Sequence, residues 1–112
     1  NLAISPNAKT TISKDFTFNT NVKIVSLTSH THKFGEKYLI KIKGGTRDGE
    51  VVYENLDWEH PAVINFKTPI ALKKGEGLTS VVTYNNTSNQ KLAFGLTSDD
   101  EMNIIFGYYY EE

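Results

Sequence analysis

Hydrophobic and polar positions alternate along most of the chain in short runs, and each run ends at a turn signal. One run, KYLIKIK, leads into GGTRDG, whose Asp-Gly step tolerates the positive φ of a hairpin loop. The other runs are TTISKDFTF, VKIVSLTSHTH, VVYENLDW, AVINF, LTSVVTY, KLAFGL and MNIIFGYYY. None keeps a helical period of about 3.6 residues. About eight short strands with turns roughly every 8–12 residues predict an all-β, antiparallel β-sandwich, with a jelly-roll as the neighbouring topology.

For three of these runs the sequence also predicts where the strand ends or which side chains share a face. AVINF is expected to end before Lys67-Thr68-Pro69. In the last run, alternate residues are expected to pack on one face: Met102, Ile104, Phe106, Tyr108 and Tyr110. In the second run one face changes from apolar to polar along Val22, Ile24, Ser26, Thr28, His30 and His32. We therefore expect the two histidines at a rim or cleft and not in the core.

Composition narrows the class of protein. The 112 residues, 38% of them hydrophobic, suit one domain over residues 1–112. The net charge of −1 provides no positive potential that would attract phosphates, so nucleic acid is not expected as a partner. No apolar run approaches the ~20 residues of a membrane-spanning helix. The absence of cysteine excludes disulfides, thiolate metal sites and cysteine nucleophiles. Because the chain begins Asn1-Leu2-Ala3 without an initiator Met, we expect a processed protein or a piece of a longer one.

His30 and His32 are the first candidate for chemistry. In a strand, residues i and i+2 point to the same side, so both imidazoles could bind one metal ion. A solvated surface pair is the alternative interpretation. A metal site would need a third ligand from a carboxylate, from His60 or from a thioether. His60 precedes Pro61, however, and is expected to cap a turn.

Met102, the only methionine, has two interpretations. It is either a core residue at the start of the last strand or a soft ligand. Two imidazoles with one thioether suit copper, especially Cu(I), better than zinc, calcium or magnesium. The preceding Asp99-Asp100-Glu101 lacks the alternating spacing of a calcium loop and is expected to be a solvated acidic turn.

Four segments together resemble a known family: LTSHTHKFGEKYLIKI, WEHPAVINF, VVTYNN and TSDDEMNIIFGYYYEE. They are similar to the C-terminal domain of the copper type II, ascorbate-dependent monooxygenases, which include peptidylglycine α-hydroxylating monooxygenase and dopamine β-monooxygenase. The similarity runs from about Thr17 to the end of the chain. Its most specific parts are His-x-His-x-x-Gly and the Glu-Met that precedes Tyr-Tyr.

The resemblance implies a jelly-roll sandwich and one copper ion held by His30, His32 and Met102, with a position left for O₂. In the family this copper activates O₂ beside a C–H bond of the substrate. A second copper in a separate N-terminal domain supplies the other electron from ascorbate. We therefore expect an oxidoreductase domain that is inactive in isolation and needs a partner copper domain.

The chain departs from the peptidylglycine enzymes in its substrate-pocket candidates. Thr28 replaces an arginine that would bind a peptide carboxylate, and Ile104 and Phe106 replace Asn and Tyr. A pocket without that cation should not hold a C-terminal glycine carboxylate. The family's cysteine after the Met is Asn103 here, so its disulfide is absent. The substrate, a small molecule or a peptide, stays open.

Three hypotheses follow. The first is the copper- and O₂-binding domain of a bacterial-type monooxygenase-like protein, exported to the periplasm, the cell surface or the medium. The second is a stand-alone copper module for capture, storage or electron transfer. The third is a metal-free sandwich for adhesion or glycan binding, with Trp58 and the tyrosines as its contact surface.

Overall fold

The computed structural model describes residues 3–4, 7–31, 35–87, 92–93 and 104–111, and of residues 3–4, 92–93 and 104–106 only the backbone. In this part of the chain all regular elements are β-strands. They are β1 (Ala3–Ile4), β2 (Lys9–Thr17), β3 (Val22–His30), β4 (Gly35–Lys43), β5 (Val51–Asn55), β6 (Ile64–Leu72), β7 (Gly77–Asn85), β8 (Leu92–Ala93) and β9 (Ile104–Glu111). Over the same residues no helix has the length and hydropathy to span a membrane.

The strands form two main sheets in which every neighbouring pair is antiparallel. One sheet has the order β2-β7-β4-β5 and the other β6-β3-β9, while β1 pairs with β8. The predicted all-β antiparallel sandwich is thereby confirmed, and the jelly-roll connectivity stays a prediction.

The core lies between the two main sheets and follows from the alternation of side chains along each strand. On β4, Tyr38, Ile40 and Ile42 are buried while the residues between them are not. The rings of Tyr38 and Tyr53 meet edge to face at 6.3 Å. The other buried apolar residues are Val22, Ile24, Leu27, Ile70, Leu72, Leu78, Val82 and Tyr84.

A β-bulge in β3 reverses which residues of this strand face the core. Its pairing with both β6 and β9 shifts between Ile24 and Ser26. Before the shift the even-numbered residues are buried, and after it the buried residues are Leu27, Ser29 and Thr31. The prediction of one continuous face from Val22 to His32 is therefore wrong. Thr28 and His30 lie half-buried on the outer face of the sheet.

The last strand also differs from its prediction. Tyr108, Tyr109 and Tyr110 are 76%, 54% and 49% exposed, so Tyr108 and Tyr110 do not pack into the core as expected. The reason is that β9 is an edge strand and that its tyrosines lie opposite the bulged part of β3. Met102 is outside the described residues.

Strand β6 continues past the point where its prediction ended. It passes through Pro69 and ends at Leu72. Proline is tolerated because β6 is an edge strand, and because residues 66–69 lie in the register gap between the pairs Ser26–Asn65 and Ile24–Ile70.

Candidate metal centre

The end of β3 that carries the histidines pairs with the start of β9. Thr28 lies opposite Phe106, and His30 lies opposite Ile104. Directly opposite residues of an antiparallel pair share one face of the sheet. Four residues of the sequence-based site are therefore neighbours in the pairing of β3 with β9, and His30 is half-buried.

On its other side this end of β3 contacts the segment that leads into β6. The Thr28 hydroxyl donates a hydrogen bond of 2.8 Å to the carbonyl of Ala62. The Tyr53 hydroxyl donates to the same carbonyl at 2.7 Å and lies 3.0 Å from Oγ of the buried Ser29. Ala62 is thereby bonded directly to Thr28 and, through the Tyr53 hydroxyl, to Ser29. The proton of Thr28, a substrate-pocket candidate, is engaged with the backbone.

We name residues 56–63 the rim loop. The side chain of Asn55, which directly precedes the loop, bonds to backbone atoms near both of its ends. Asn55 donates through Nδ2 to the carbonyl of Asp57 at 2.8 Å, and its Oδ1 accepts from the amide of Ala62 at 3.3 Å. The two ends of the loop are thus tied to the same amide group. Trp58 lies half-buried within the loop.

His60 lies in a turn of the rim loop, as its position before Pro61 predicted. Its amide donates to the carbonyl of Asp57, and its Nδ1 lies 3.1 Å from Asp57 Oδ2. The hydrogen bond from His60 is the main reason that the pKa of Asp57 is lowered, and the amide of Glu59 adds to the effect. The imidazole is 81% exposed and is already oriented by a carboxylate.

Gly35 has a packing role in the His-x-His-x-x-Gly segment. Thr31, between the two histidines, is only 5% exposed. A Cβ at position 35 would lie 2.7 Å from the Cβ of Thr31 and still closer to its hydroxyl. The motif therefore needs glycine so that Thr31 can be buried. The motif alone suggested this position, but the contact with Thr31 could not be read from the sequence.

Not all of the predicted site is described. His32, Met102 and the acidic Asp99-Asp100-Glu101 cluster lie outside the described residues. Within the described ranges, no three His, Asp or Glu side chains gather into a group that could hold a metal. Sequence reasoning missed Tyr53 and Ala62, because a hydroxyl and a carbonyl far apart in the chain carry no local signal.

The Tyr53 hydroxyl should contribute measurably to stability at this end of the sandwich. We expect Tyr53→Phe to lower the free energy of unfolding by about 1–3 kcal/mol, because Ser29 would keep a buried hydroxyl without its partner. Thr11→Val is a suitable control, since its hydroxyl contacts Thr83 on an exposed face, and it should change stability by less than about 0.5 kcal/mol. Urea denaturation measures both, and equal small effects would contradict the expectation.

The comparisons with known proteins concern nearly the whole chain. No curated protein matches the chain in a sequence search. A family model described as "Copper type II ascorbate-dependent monooxygenase, C-terminal domain" matches residues 5–112. That range contains every segment on which the resemblance rests, and the resemblance is confirmed. The chain belongs to the copper type II ascorbate-dependent monooxygenase family, as its C-terminal domain.

Proposed function

We propose that this chain is the copper-binding domain of a monooxygenase that hydroxylates a C–H bond together with a partner copper domain. One copper ion is held by His30, His32 and Met102. The observation that carries the proposal is the unbroken pairing of β3 with β9 from Ser26–Tyr108 to His30–Ile104, in a chain of this family.

In the sequence, His32 follows His30 by two residues and Met102 precedes Ile104 by two residues, and His30–Ile104 is the last described pair. Same-face neighbours along a strand are about 6.5–7 Å apart, and directly opposite residues have Cβ atoms about 4.5–5.5 Å apart. This spacing supports a single ion shared by all three residues.

The donor set fits copper. Two imidazoles serve both oxidation states, and a thioether favours Cu(I). When bound, copper would supply the one-electron chemistry and the oxygen-binding position on which the family's monooxygenases depend. The part of the chain that the structure describes gathers no competing group of three His, Asp or Glu side chains.

The chain's own residues would position the substrate beside this site. Thr28 carries no charge, and its hydroxyl already donates to Ala62, so it would add no cation for a carboxylate. Ile104 and Phe106 occupy the opposite positions on β9 and are apolar residue types. We therefore propose a substrate without a carboxylate at the reacting end, bordered by the rim loop.

The remaining parts of the proposal concern the partners and the compartment. Hydroxylation with O₂ needs a second electron, which a partner copper domain would supply from ascorbate. Export of the protein fits this chemistry, because cysteine-free imidazole and thioether sites do not depend on a reducing compartment.

A copper titration tests the proposal. Under anaerobic reducing conditions, in competition with a coloured Cu(I) chelator, we expect one copper per chain and tighter binding of Cu(I) than of Cu(II). His60→Ala is the matched control and should bind copper like the wild type, because His60 is oriented by Asp57. A folded chain with Cu(I) stoichiometry near zero would overturn the proposal and favour the metal-free module.

A further inference from the structure

Strand β9 has an open edge. It is the last strand of the sheet β6-β3-β9, and no strand in the described part of the chain pairs with its other side. The backbone N–H and C=O groups on that side are therefore available to another strand. The bulge belongs to β3, and the pairing of β9 is unbroken from Ser26–Tyr108 to His30–Ile104, so the edge is regular as well as open.

The other edge strands carry features that discourage pairing, and β9 does not. β2 contains Lys9 and Lys14, β5 has only five residues, and β6 contains Lys67 and Pro69. Lysine, proline and short length are the usual protections of a sheet edge. β9 reads IIFGYYYE over eight residues, and Glu111 is its only charged residue. Its edge therefore suits a strand that is equally uncharged.

A cleft lies beside this edge, between the two main sheets, and we name it the edge cleft. Its volume is about 330 Å³, and its lining includes Phe16, Phe18, Leu27, Gly107 and Tyr109. Gly107 lies opposite the buried Leu27, so position 107 faces the inner side of the sheet. A Cβ there would meet the backbone of β3. Position 107 therefore stays without a side chain, which leaves a gap on the inner side of β9.

The aromatic residues around the gap are largely exposed. Phe18 and Tyr109 meet across the two sheets at 5.1 Å, yet Tyr109 is 54% exposed and Phe16 is 58% exposed. On the outer side of β9, Tyr108 is 76% exposed. Aromatic side chains contribute much of the energy of protein interfaces when they become buried. The edge of β9 therefore combines free backbone groups with aromatic surface on both of its sides.

Two copies of one strand can pair antiparallel only in certain registers. Because opposite residues share a face of the sheet, the two-fold axis must pass beside a residue that lies opposite its own copy. Gly107 and Tyr108 are the two residues at the middle of β9. An axis at Gly107 would place two glycines opposite each other, with no side chains to pack. An axis at Tyr108 places Gly107 opposite Tyr109 of the other copy, and an aromatic residue opposite an edge glycine is a favourable pair.

We propose that two copies of this chain associate through β9, as an antiparallel strand pair with Tyr108 at the two-fold axis. The two three-stranded sheets then form one six-stranded sheet, β6-β3-β9-β9-β3-β6. On the inner side, Tyr109 of each copy lies beside Gly107 of the other and covers the gap at the edge cleft. The two-fold axis closes the assembly at two copies.

The residue types of β9 agree with this register. Glu111 is placed opposite Ile105, so the two Glu111 carboxylates lie at opposite ends of the strand pair and do not face each other. Phe106 is placed opposite Tyr110 of the other copy, and aromatic pairs directly across two strands stabilise a sheet. The association needs no metal ion and goes beyond the proposed function.

Sedimentation of the copper-free chain at a series of concentrations tests the association. We expect a monomer–dimer equilibrium with a Kd of about 1–100 μM, because one strand pair is a small interface. Tyr108→Lys places two ammonium groups opposite each other and should raise the Kd at least about tenfold. Leu56→Lys is the control, since Leu56 is 66% exposed but lies in the rim loop, and it should leave the Kd unchanged. Thermal unfolding shows whether both variants are folded.

Cross-linking tests the register. The chain has no cysteine, so each single-cysteine variant carries one thiol. In Tyr108→Cys the opposite Cα atoms would be about 4.5–5.5 Å apart, which is within the span of a disulfide. In Tyr110→Cys, on the same face of the same strand, they would be about 13 Å apart. With diamide as the oxidant, Tyr108→Cys should form the covalent dimer at least about tenfold faster than Tyr110→Cys.

Four results would overturn the proposal. The first is a chain that stays monomeric at about 1 mM, the concentration at which even a weak association is visible. The second is a dimer that Tyr108→Lys leaves intact, because the interface would then lie elsewhere. The third is equal cross-linking of the two cysteine variants, or none in a chain that dimerises. The fourth is a mass that grows beyond that of a dimer, because the pairing of one edge ends at two copies.

Discussion

Replacing His30 or His32 with alanine is expected to lower the affinity for both Cu(I) and Cu(II) by at least about 100-fold. Loss of residues that only support a ligand costs about 10–100-fold, so loss of a ligand itself should cost more. Met102→Ala should weaken Cu(I) by a similar factor and Cu(II) much less, because thioether sulfur is a soft donor. Competition titrations in each oxidation state measure the three variants side by side.

The result for Met102 distinguishes its two interpretations. If Met102→Ala leaves the affinity for Cu(I) unchanged and lowers the free energy of unfolding by ~2–5 kcal/mol, Met102 is a core residue. His60→Ala serves as the control histidine. A loss of copper in that variant would show that His60 is a ligand of the copper ion.

Gly35→Ala is expected to damage the metal centre without touching a ligand. The added Cβ meets Thr31 between the two histidines, so this segment must shift. We expect a stability loss of about 1–3 kcal/mol, typical of overpacking, together with a fall in Cu(I) affinity of roughly 10–100-fold. Urea denaturation and chelator competition measure the two effects on one sample.

Gly75→Ala is the control that shows whether a loss of stability by itself lowers the affinity for copper. Gly75 has a φ of +90° in the turn before β7, and a Cβ there would meet no atom within 4 Å. The backbone strain should cost about 1 kcal/mol, while copper affinity should stay at the wild-type value. If Gly75→Ala lowers copper affinity as much as Gly35→Ala does, the Thr31 contact has no special role.

The class of the fold could be predicted from the sequence because most strands alternate regularly and end at turn residues. The predicted directions of the side chains were wrong in strands β3 and β9. The extra residue at the bulge near Ser26 changes the phase of β3, and adjacent Ile24 and Val25 gave no indication of where the change occurs. The exposure of Tyr108 and Tyr110 depends on β9 lying at a sheet edge, which is a long-range property.

The candidate site was only partly predictable for a related reason. His30 was predicted as a ligand from its spacing to His32 and stays a prediction, while the structure shows that it pairs with Ile104. The hydrogen bonds from Thr28 and Tyr53 to Ala62 could not be predicted, because they join residues 34 and 9 positions apart through a backbone carbonyl. The structure shows that the hydroxyl of Thr28 supports the rim loop.

The closure of the rim loop has a consequence for how this family could diversify. Both ends of the loop are tied to the Asn55 side chain, and Ala62 is held by the buried Tyr53. Because these anchors are backbone atoms of Asp57 and Ala62, residues 58–61 can change in identity, and in number, while the segment beside His30 stays in place. With the proposed function, such an arrangement would separate the part of the gene that selects a substrate from the part that preserves the metal ligands. The loop would then be a natural place for exchange by recombination or by design.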